Sequence, residues 1–185
     1  MRVIAGSLKG RRLKAPTWEG LRPTSDKLRE TLFNILAPRI AGARVLDGYA
    51  GTGAVGIEAL SRGAAAVTFV ECDRRAQALI AENLAHCGVE DGYVIIRASV
   101  ARALAGLHAD SFDIMIFDPP YDERADDLLA GAGGHLAADG VLVLEHARRA
   151  AAPERAGGLR RSREVISGDS ALTFYARAKS QGPDS

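Results

Sequence analysis

One short stretch of the chain combines the residue types of a catalytic turn. It is MIFDPPYDER, residues 115–124, in which an aliphatic run ends in an acid, two prolines and an aromatic ring. A residue before proline is held extended, so Asp118 should direct its carboxylate out of the end of a strand. Because proline has no N–H, Pro119 and Pro120 leave the turn with acceptors and no matching donors. Such a turn favours a ligand that brings its own donors.

An exocyclic amine on a nucleobase is a ligand of that kind, with two N–H donors and a lone pair delocalised into the ring. If Asp118 and the carbonyl of Pro119 accept those hydrogens, the lone pair is free to point at a methyl donor. A fixed carboxylate then stabilises the positive charge that develops on the nitrogen. Tyr121 can stack on the base. The alternative is a stiffened loop in which Tyr121 packs on the core.

A glycine-rich loop, DGYAGTGAVG at residues 47–56, stands upstream. It matches GxGxxG from Gly51, and Glu71 follows at the spacing of an acid on the next strand. In a pyrophosphate binder the first glycine follows the strand at once, whereas here Asp47 stands at the mouth of the loop. This carboxylate would repel a diphosphate and suits a ligand with an ammonium group.

S-adenosylmethionine is a ligand that fits this loop, since it carries an ammonium group and no phosphate. Its amino acid end would lie along the glycine turn, and Glu71 could accept both ribose hydroxyls. Two alternatives are a plain strand-to-helix turn and a nicotinamide cofactor. Too little chain follows Asp118 for a second nucleotide-binding half and a substrate domain, so the nicotinamide cofactor is disfavoured.

The elements that must position these residues alternate between strands and helices from Arg44 to His146. This pattern predicts right-handed βαβ crossovers and a sheet with helices on both faces, with ligands beyond the carboxyl ends of the strands. An antiparallel hairpin turned at Gly168-Asp169 completes a mainly parallel, seven-stranded sheet. The predicted strands are ARVLD, AVTFVE, YVIIRA, FDIMIFD, GVLVLEH, LRRSREVIS and ALTFYARA, and the predicted helices are AVGIEALSR, RRAQALIAENLAHC, ARALAGL and DDLLAGAGGHL.

An N-terminal extension precedes this core. RVIAG and RRLKAP predict a short β-hairpin, and RPTSDKLRETLFNIL predicts a helix. Thr24 or Ser25 would cap the helix, and Pro38 would lie past its end. The face predicted to be apolar holds Leu28, Leu32, Ile35 and Leu36. The predicted organisation is a basic extension (1–40) packed on the core, a catalytic core (41–178) and a disordered polar tail (179–185).

Basic charge is concentrated at the N-terminus. Residues 1–29 carry a net charge of +6 in a chain whose net charge is +1. Such a patch is typical of a polyanion-binding surface, because each neutralised phosphate releases counterions. A solvated arm that aids solubility is the alternative. The same choice stays open for a second group, Arg148, Arg149, Arg160, Arg161 and Arg163.

Several classes of protein are disfavoured by the rest of the sequence. No apolar run is long enough for a membrane helix, and the first residues lack a signal-peptide core, which favours a cytoplasmic location. Cys72 and Cys87 form no CxxC motif or cysteine–histidine cluster, so neither a disulfide nor a metal site is expected.

The order DGYAGTG, FVEC and DPPY resembles the S-adenosylmethionine-dependent amino-methyltransferases. The flanking segments RVIAGSLKGRRL, LRPTSDKLRETLFNIL, GAVGIEALSRGA and GDSALTFYAR resemble, over residues 2–177, the RsmD family of 16S ribosomal RNA guanine-N2 methyltransferases. The resemblance implies a Rossmann-like class I methyltransferase fold. It also implies methylation of one guanine, guanine 966 in the usual numbering, in naked 16S rRNA or the assembling small subunit, by a monomer without metal or membrane.

The resemblance further implies which residues form the site. The base would be held by Asp118, Pro119, Pro120 and Tyr121. The cofactor would be held by Asp47, Tyr49, Ala50, Gly51, Gly53, Glu71 and Cys72, with a buried apolar filler as the alternative for Cys72. Related enzymes often place an acid near the adenine amine where this chain has Ala98-Ser99, and Ser99 could accept that hydrogen bond instead. RNA would be bound by Lys9, Arg11, Arg12, Arg22, Thr24 and Arg29. The family usually has Leu-Phe where Gly48-Tyr49 stand, which predicts a looser loop here.

Three other functions remain open from the residues alone. Two are enzymes that methylate adenine-N6 in DNA or glutamine-N5 in protein. The third is a non-catalytic RNA-binding module that has kept the fold. A DNA enzyme usually needs a separate target-recognition domain, and a glutamine enzyme usually carries Asn where Asp118 stands.

Overall fold

The structure is a computed structural model, and it describes residues 1–19, 25–120 and 122–178. Helices and strands alternate along these residues as the sequence pattern predicts. The helices are α1 (Asp26–Ile40), α2 (Ala54–Ser61), α3 (Arg74–His86), α4 (Val100–Ala105) and α5 (Ala125–Ala132). The strands are β1 (Arg44–Gly48), β2 (Ala66–Glu71), β3 (Tyr93–Arg97), β4 (Phe112–Phe117), β5 (Leu136–Ala147), β6 (Arg155–Ala156), β7 (Leu159–Ser167) and β8 (Ser170–Arg177).

The strands form one sheet in the order β3-β2-β1-β4-β5-β8-β7-β6. Neighbours from β3 to β5 are parallel, and the pairs from β5 to β6 are antiparallel. The mainly parallel sheet with a C-terminal hairpin at Gly168-Asp169 is therefore confirmed. The sheet has eight strands rather than the predicted seven, because Gly157 and Gly158 take positive φ and fold the two-residue β6 back onto β7.

Both faces of the sheet are covered, as its apolar strands require. One buried cluster joins strand residues such as Val45 to α1, α2 and α3, and the other joins Leu46 to α4 and α5. Adjacent strand residues enter opposite clusters because side chains alternate across a strand. Gly56 lets α2 approach the sheet, since a Cβ there would lie 2.2 Å from the ring of Phe69. This close packing fixes the loop that precedes α2.

Helix α1 begins as predicted and ends later than predicted. The Ser25 hydroxyl accepts the N–H of Leu28 at 3.2 Å, whereas Thr24 lies outside the described residues. Pro38 was predicted past the helix end but lies inside it. The missing N–H costs one hydrogen bond near the exposed end of the helix, and Ile40, only 4% exposed, anchors the final turn in the core. The predicted apolar face is buried at Leu28, Leu32 and Leu36 and partly buried at Ile35.

The N-terminal hairpin is present in reduced form, as one antiparallel bridge between Arg2 and Arg12. The N–H of Val3 donates to the carbonyl of Arg11 at 2.9 Å. Val3 and Leu13 are buried in the same apolar cluster as α1, α2 and α3. The hairpin therefore contributes side chains to the core as well as exposed bases to the surface.

Two further classes of feature were searched for in the described residues. None of the helices there is both long and apolar enough to cross a membrane. Over the same ranges, no three His, Cys, Asp or Glu side chains are grouped as a metal site would require.

Candidate active site

A cleft of about 1020 Å³ opens at the carboxyl ends of the parallel strands. The glycine loop contributes Tyr49 and Gly51 to its lining, the end of β2 contributes Glu71, and the segment after β4 contributes Asp118 and Pro119. These segments meet because the chain order reverses between β1 and β4, which leaves a crevice at that point of the sheet. The cleft thus brings the two motifs singled out from the sequence together.

The acid-proline turn follows a rigid strand. Phe117 ends β4 and is fully buried, and the next residue, Asp118, is exposed toward the cleft. Pro119 and Pro120 also line the cleft. The carbonyl of Pro120 accepts the N–H of Glu123 at 3.0 Å, which closes the turn. Tyr121, predicted to stack on the base, lies outside the described residues.

Asp47 is placed differently from the prediction. It is 3% exposed and does not line the cleft. Its carboxylate accepts the N–H of Gly56 at 2.8 Å, which caps the first turn of α2 because the N-cap residue Gly53 has no side chain. Burial raises the pKa of Asp47 to about 7; the bond from Gly56 opposes this rise, and the charges of Asp118 and Glu71 add to it. Asp47 therefore caps α2 behind the cleft surface, and its predicted role in holding the cofactor stays a prediction.

Glu71 links the end of β2 to the glycine loop. One carboxylate oxygen accepts the N–H of Gly51 at 2.9 Å, and the other accepts the N–H of Asp73 at 2.8 Å. The side chain lines the cleft, and each carboxylate oxygen can accept a second hydrogen bond. Gly51 has a φ of 55°, a left-handed conformation that disfavours a side chain. Glu71 is therefore placed to receive hydroxyl donors from a ligand in the cleft.

The loop between Asp47 and Gly51 packs closely against Phe117, and whether it is looser than the loop of its relatives stays a prediction. A Cβ on Gly48 would lie 2.4 Å from the ring of Phe117, which occupies the space that a larger residue would need. The Tyr49 ring meets the same Phe117 edge-on, with 6.2 Å between centroids. Burial, followed by the neighbouring Glu123 carboxylate, raises the pKa of Tyr49. Tyr49 therefore lines the cleft as a neutral phenol.

The remaining predicted cofactor residues divide into two groups. Cys72 and Ser99 line the cleft. Cys72 is exposed, so the alternative of a buried filler is wrong; burial of its thiol and the charge of Glu71 nevertheless raise its pKa. The Ser99 hydroxyl accepts the N–H of Arg102 at 3.3 Å and so begins α4. Ala50 and Gly53 are buried behind the loop and do not reach the cleft surface.

The residues predicted to bind RNA are scattered. Lys9, Arg11 and Arg12 are exposed on the hairpin. Arg11 lies beside Gly88, just past the end of α3 and therefore at the end of the sheet away from the cleft. Arg22 and Thr24 lie outside the described residues.

Arg29 does not bind RNA in this fold, contrary to the prediction. Its side chain is fully buried beneath the hairpin, where it donates to the carbonyl of Arg2 and to Asp26. Its Nε lies 4.0 Å from the buried carboxylate of Glu58. Burial of the guanidinium lowers the pKa of Arg29, and the two acids partly offset this effect. The residue therefore joins the extension to the core.

Two features of the site were not recognised from the sequence. The guanidinium of Arg75 lies over the ring of Trp18 at the cleft rim, with 5.0 Å between Cζ and the ring centroid. Asp73 forms an ion pair with the same guanidinium. On the other side, the turns at 147–150 and 167–170 contribute a wall of the cleft. Neither feature follows from periodicity, because each depends on contacts between distant segments.

Comparison with known proteins identifies the family. The model of the family described as conserved hypothetical protein 95 matches residues 1–176. Ribosomal RNA small subunit methyltransferase D of Escherichia coli K12 is 37% identical over 181 residues, covering 96% of this chain and 90% of that protein. The solved structure of the Escherichia coli yhhF protein has a TM-score of 0.84 at 34% identity, covering 96% of this chain and 97% of that one.

A second solved structure, a hypothetical protein of Thermus thermophilus, has a TM-score of 0.78 at 30% identity and covers 96% of this chain and 99% of that one. These similarities extend over nearly the whole chain, including the N-terminal extension. The fold is that of the class I methyltransferases. The chain belongs to the RsmD family of ribosomal RNA small subunit methyltransferases.

Proposed function

We propose that this protein transfers a methyl group from S-adenosylmethionine to the exocyclic N2 amine of one guanine, guanine 966, of 16S ribosomal RNA. The observation that carries the proposal is the placement of Asp118, Pro119 and Pro120 in the same cleft as Glu71. The family supports ribosomal RNA as the substrate. We also infer a monomer that acts in the cytoplasm; light scattering of the purified protein tests the monomer.

The side chains of the cleft fit S-adenosylmethionine. Glu71 has acceptor capacity left for hydroxyl groups, and the carboxylates of Glu71 and Asp118 in the cleft lining suit a cationic ligand. Val70 and Val100, both nearly fully buried, give the lining of the cleft an apolar part against which a flat ring can pack. When bound, S-adenosylmethionine supplies an electrophilic methyl group on a positively charged sulfur.

Asp118 performs the part of the reaction that falls to the protein. Its carboxylate accepts one hydrogen of the target amine and orients the lone pair on nitrogen. As positive charge develops on that nitrogen, the nearby carboxylate stabilises it without any reorganisation. The same oxygen is also a suitable acceptor for the proton that the nitrogen must lose. No histidine base is needed.

The target guanine must leave its stack before it can enter the cleft, because a base inside a helix cannot be reached. The proline turn lacks two N–H donors, so it presents acceptors to the amine donors of the base. This arrangement favours an exocyclic amine over a carbonyl oxygen. Selection of guanine over adenine would depend on the other edge of the base.

Nucleoside mass spectrometry tests the proposal directly. Purified protein and S-adenosylmethionine are incubated with unmodified 16S RNA, both naked and in partly assembled subunits. We expect N2-methylguanosine at a single position, and none with an Asp118→Ala variant that still binds the cofactor. Methylation only of adenine, DNA or protein would refute the RNA assignment. Cofactor binding with no methylation of any substrate would support a non-catalytic RNA-binding module.

A further inference from the structure

We propose that a second RNA-binding surface lies on the side of the cleft formed by the C-terminal hairpin. We call it the arginine wall; its residues are Arg148, Arg149, Arg155, Arg160 and Arg163, all exposed. The proposal rests on the proposed function, because it takes ribosomal RNA as the substrate. Its ligand is the phosphate backbone of that RNA next to the target base.

Two of these arginines stand on the rim of the cleft. The N–H of Ala150 donates to the carbonyl of Ala147 at 2.8 Å, so Arg148 and Arg149 occupy the centre of a β-turn. Both flanking alanines line the cleft. The N–H of Arg148 also donates to the carbonyl of Asp169 at 2.8 Å, which ties this turn to the β7–β8 turn. The backbone of Arg148 and Arg149 is therefore fixed beside the cleft, between two residues that line it.

The other arginines continue from the rim along the outer edge of the sheet. Strand β7 ends at Ser167, which lines the cleft. At about 3.3 Å per residue, Arg163 lies roughly 13 Å and Arg160 roughly 23 Å back from that end. Arg155 pairs with Arg160 on the neighbouring strand. The arginine wall therefore extends along the outer edge of the sheet as far as the rim of the cleft.

The guanidinium groups of the wall have no ion-pair partner in the part of the chain that the structure describes. Among the described residues, none of the five has an acidic side chain within ion-pair distance, whereas Arg161 between them lies 3.8 Å from Glu164. Some arginines elsewhere on the surface have such partners, as in the pairs Arg44–Asp113 and Arg75–Asp73, whereas Arg74, Arg97 and Arg102 have none among the described residues. Unpaired guanidinium groups on one surface are available for bidentate contacts with phosphate.

The pairing of β6 with β7 places two positive charges directly opposite each other. Arg155 and Arg160 are cross-strand partners, and like charges in that position destabilise a strand pair. The N-terminal hairpin has the same arrangement at Arg2 and Arg12. A phosphate between the two guanidinium groups would convert this repulsion into attraction. The arrangement therefore indicates a polyanion rather than mere solubility.

The overall charge distribution agrees with two separate basic surfaces. Residues 148–163 carry a net charge of +5 and residues 1–29 carry +6, in a chain of net charge +1. All the other residues together therefore carry −10. A phosphate backbone is therefore attracted to both basic surfaces and repelled by the rest of the chain.

The test compares two double variants of the wall with a control pair. The wall variants are Arg148→Gln/Arg149→Gln and Arg160→Gln/Arg163→Gln. The control is Arg39→Gln/Arg44→Gln, which removes the same charge at the amino-terminal ends of the strands. Affinity for a 16S RNA transcript is measured over a range of salt concentrations, together with the affinity for S-adenosylhomocysteine.

Each wall variant should weaken RNA binding about tenfold and flatten the plot of log affinity against log salt by about 1.4, that is, about 0.7 for each single-strand phosphate contact. The control should change neither quantity beyond a general charge effect, and S-adenosylhomocysteine should bind all variants alike. The kcat at saturating RNA should stay unchanged, since the wall does not touch the reacting atoms. Wall variants that match the control, or that lose kcat with an unchanged salt slope, would overturn the proposal.

A failure of the proposed function would look different. The wild-type protein would then bind the transcript with no salt dependence, or would methylate another substrate. One more measurement isolates the opposed pair: Arg160→Gln should raise the Tm of the RNA-free protein at low salt, because it removes a like-charge contact. A lowered or unchanged Tm would contradict the repulsion on which the proposal depends.

Discussion

Three carboxylates stand at the ends of neighbouring strands around the cleft, and their burial separates their roles. Asp47 is buried and caps the first turn of α2. Glu71 is 9% exposed; its carboxylate accepts a hydrogen bond from the glycine loop and also lines the cleft. Asp118 is exposed and follows the rigid end of β4. Only Asp118 therefore combines access to a substrate with a fixed position, which the stabilisation of a developing charge requires.

The first prediction concerns Asp118→Asn. The amide keeps the shape of the side chain and one acceptor oxygen but removes the charge, so kcat for RNA methylation should fall by about a hundredfold or more. The affinity for S-adenosylhomocysteine, measured by calorimetry, should change little. Asp122→Asn, an exposed acid of the same turn that does not line the cleft, serves as the charge-matched control and should keep most of the activity. Equal losses of cofactor affinity and kcat would mean that Asp118 is structural.

The second prediction concerns the pH dependence of Asp47. Its pKa is about 7 in the folded protein, against an ordinary value of 3.8. The folded state therefore binds more protons than the unfolded state between about pH 4 and pH 7, and stability from this group falls as pH rises through that window. Asp47→Asn keeps an acceptor for Gly56 and should flatten the decline in Tm between pH 5 and pH 7.5. Parallel Tm curves for the two proteins would show that Asp47 is not the titrating group.

At the scale of elements, the features that can be predicted from the sequence are those that depend on residues close together in the chain. Strand β4 and the turn at Asp118 follow from an apolar run and two prolines, and the hairpin turn follows from Gly168-Asp169. The burial of Arg29 could not be predicted in this way, because it depends on a carbonyl 27 residues away in sequence and on a glutamate of α2. From the local charge alone, Arg29 is expected to be an exposed base on the surface.

The segment from Lys14 to Glu19 joins the N-terminal extension to the cofactor side of the cleft. The N–H of Lys14 donates to the side-chain oxygen of Asn83 at 2.8 Å, and the amide nitrogen of Asn83 donates to the carbonyl of Thr52 at 2.9 Å in the glycine loop. Trp18 then lies over Arg75 at the cleft rim. A ligand that binds at the glycine loop should therefore change the surroundings of Trp18, which lies in this segment.

The third prediction uses the fact that Trp18 is the only tryptophan of the chain. Saturation with S-adenosylhomocysteine should change the intensity or wavelength of its emission, because the ligand occupies the cleft that Trp18 lines. Arg75→Met removes the cation from the ring face and should reduce the change. Exposed Arg102→Met, on α4, is the matched control. Unchanged emission at a saturation verified by calorimetry would place Trp18 away from the ligand.

On the scale of the whole molecule, the basic extension and the catalytic core share one interior. Val3 and Leu13 of the hairpin are buried in the same cluster as Val45 of β1. Beneath them, the carboxylate of Glu58 accepts the backbone N–H groups of Ile4 and Ala5 at 2.7 and 3.0 Å. The predicted boundary at residue 40 therefore divides a continuous core. The exposed bases of the hairpin are therefore joined to the catalytic core through a shared interior.

The fourth prediction follows from this shared interior. Trp18 fluorescence reports the extension and far-ultraviolet circular dichroism reports the helices of the core, and the two should give the same urea midpoint, as one cooperative unit does. Glu58→Gln should lower both midpoints together, because it weakens the buried contacts of the hairpin and removes the buried one of the two carboxylates beside the Arg29 guanidinium, which leaves only Asp26. Glu90→Gln, an exposed substitution on the loop after α3, should move neither. A Trp18 midpoint well below that of the helices would mean that the extension unfolds on its own. The hairpin that we propose to bind RNA would then be a mobile arm rather than a fixed part of the site.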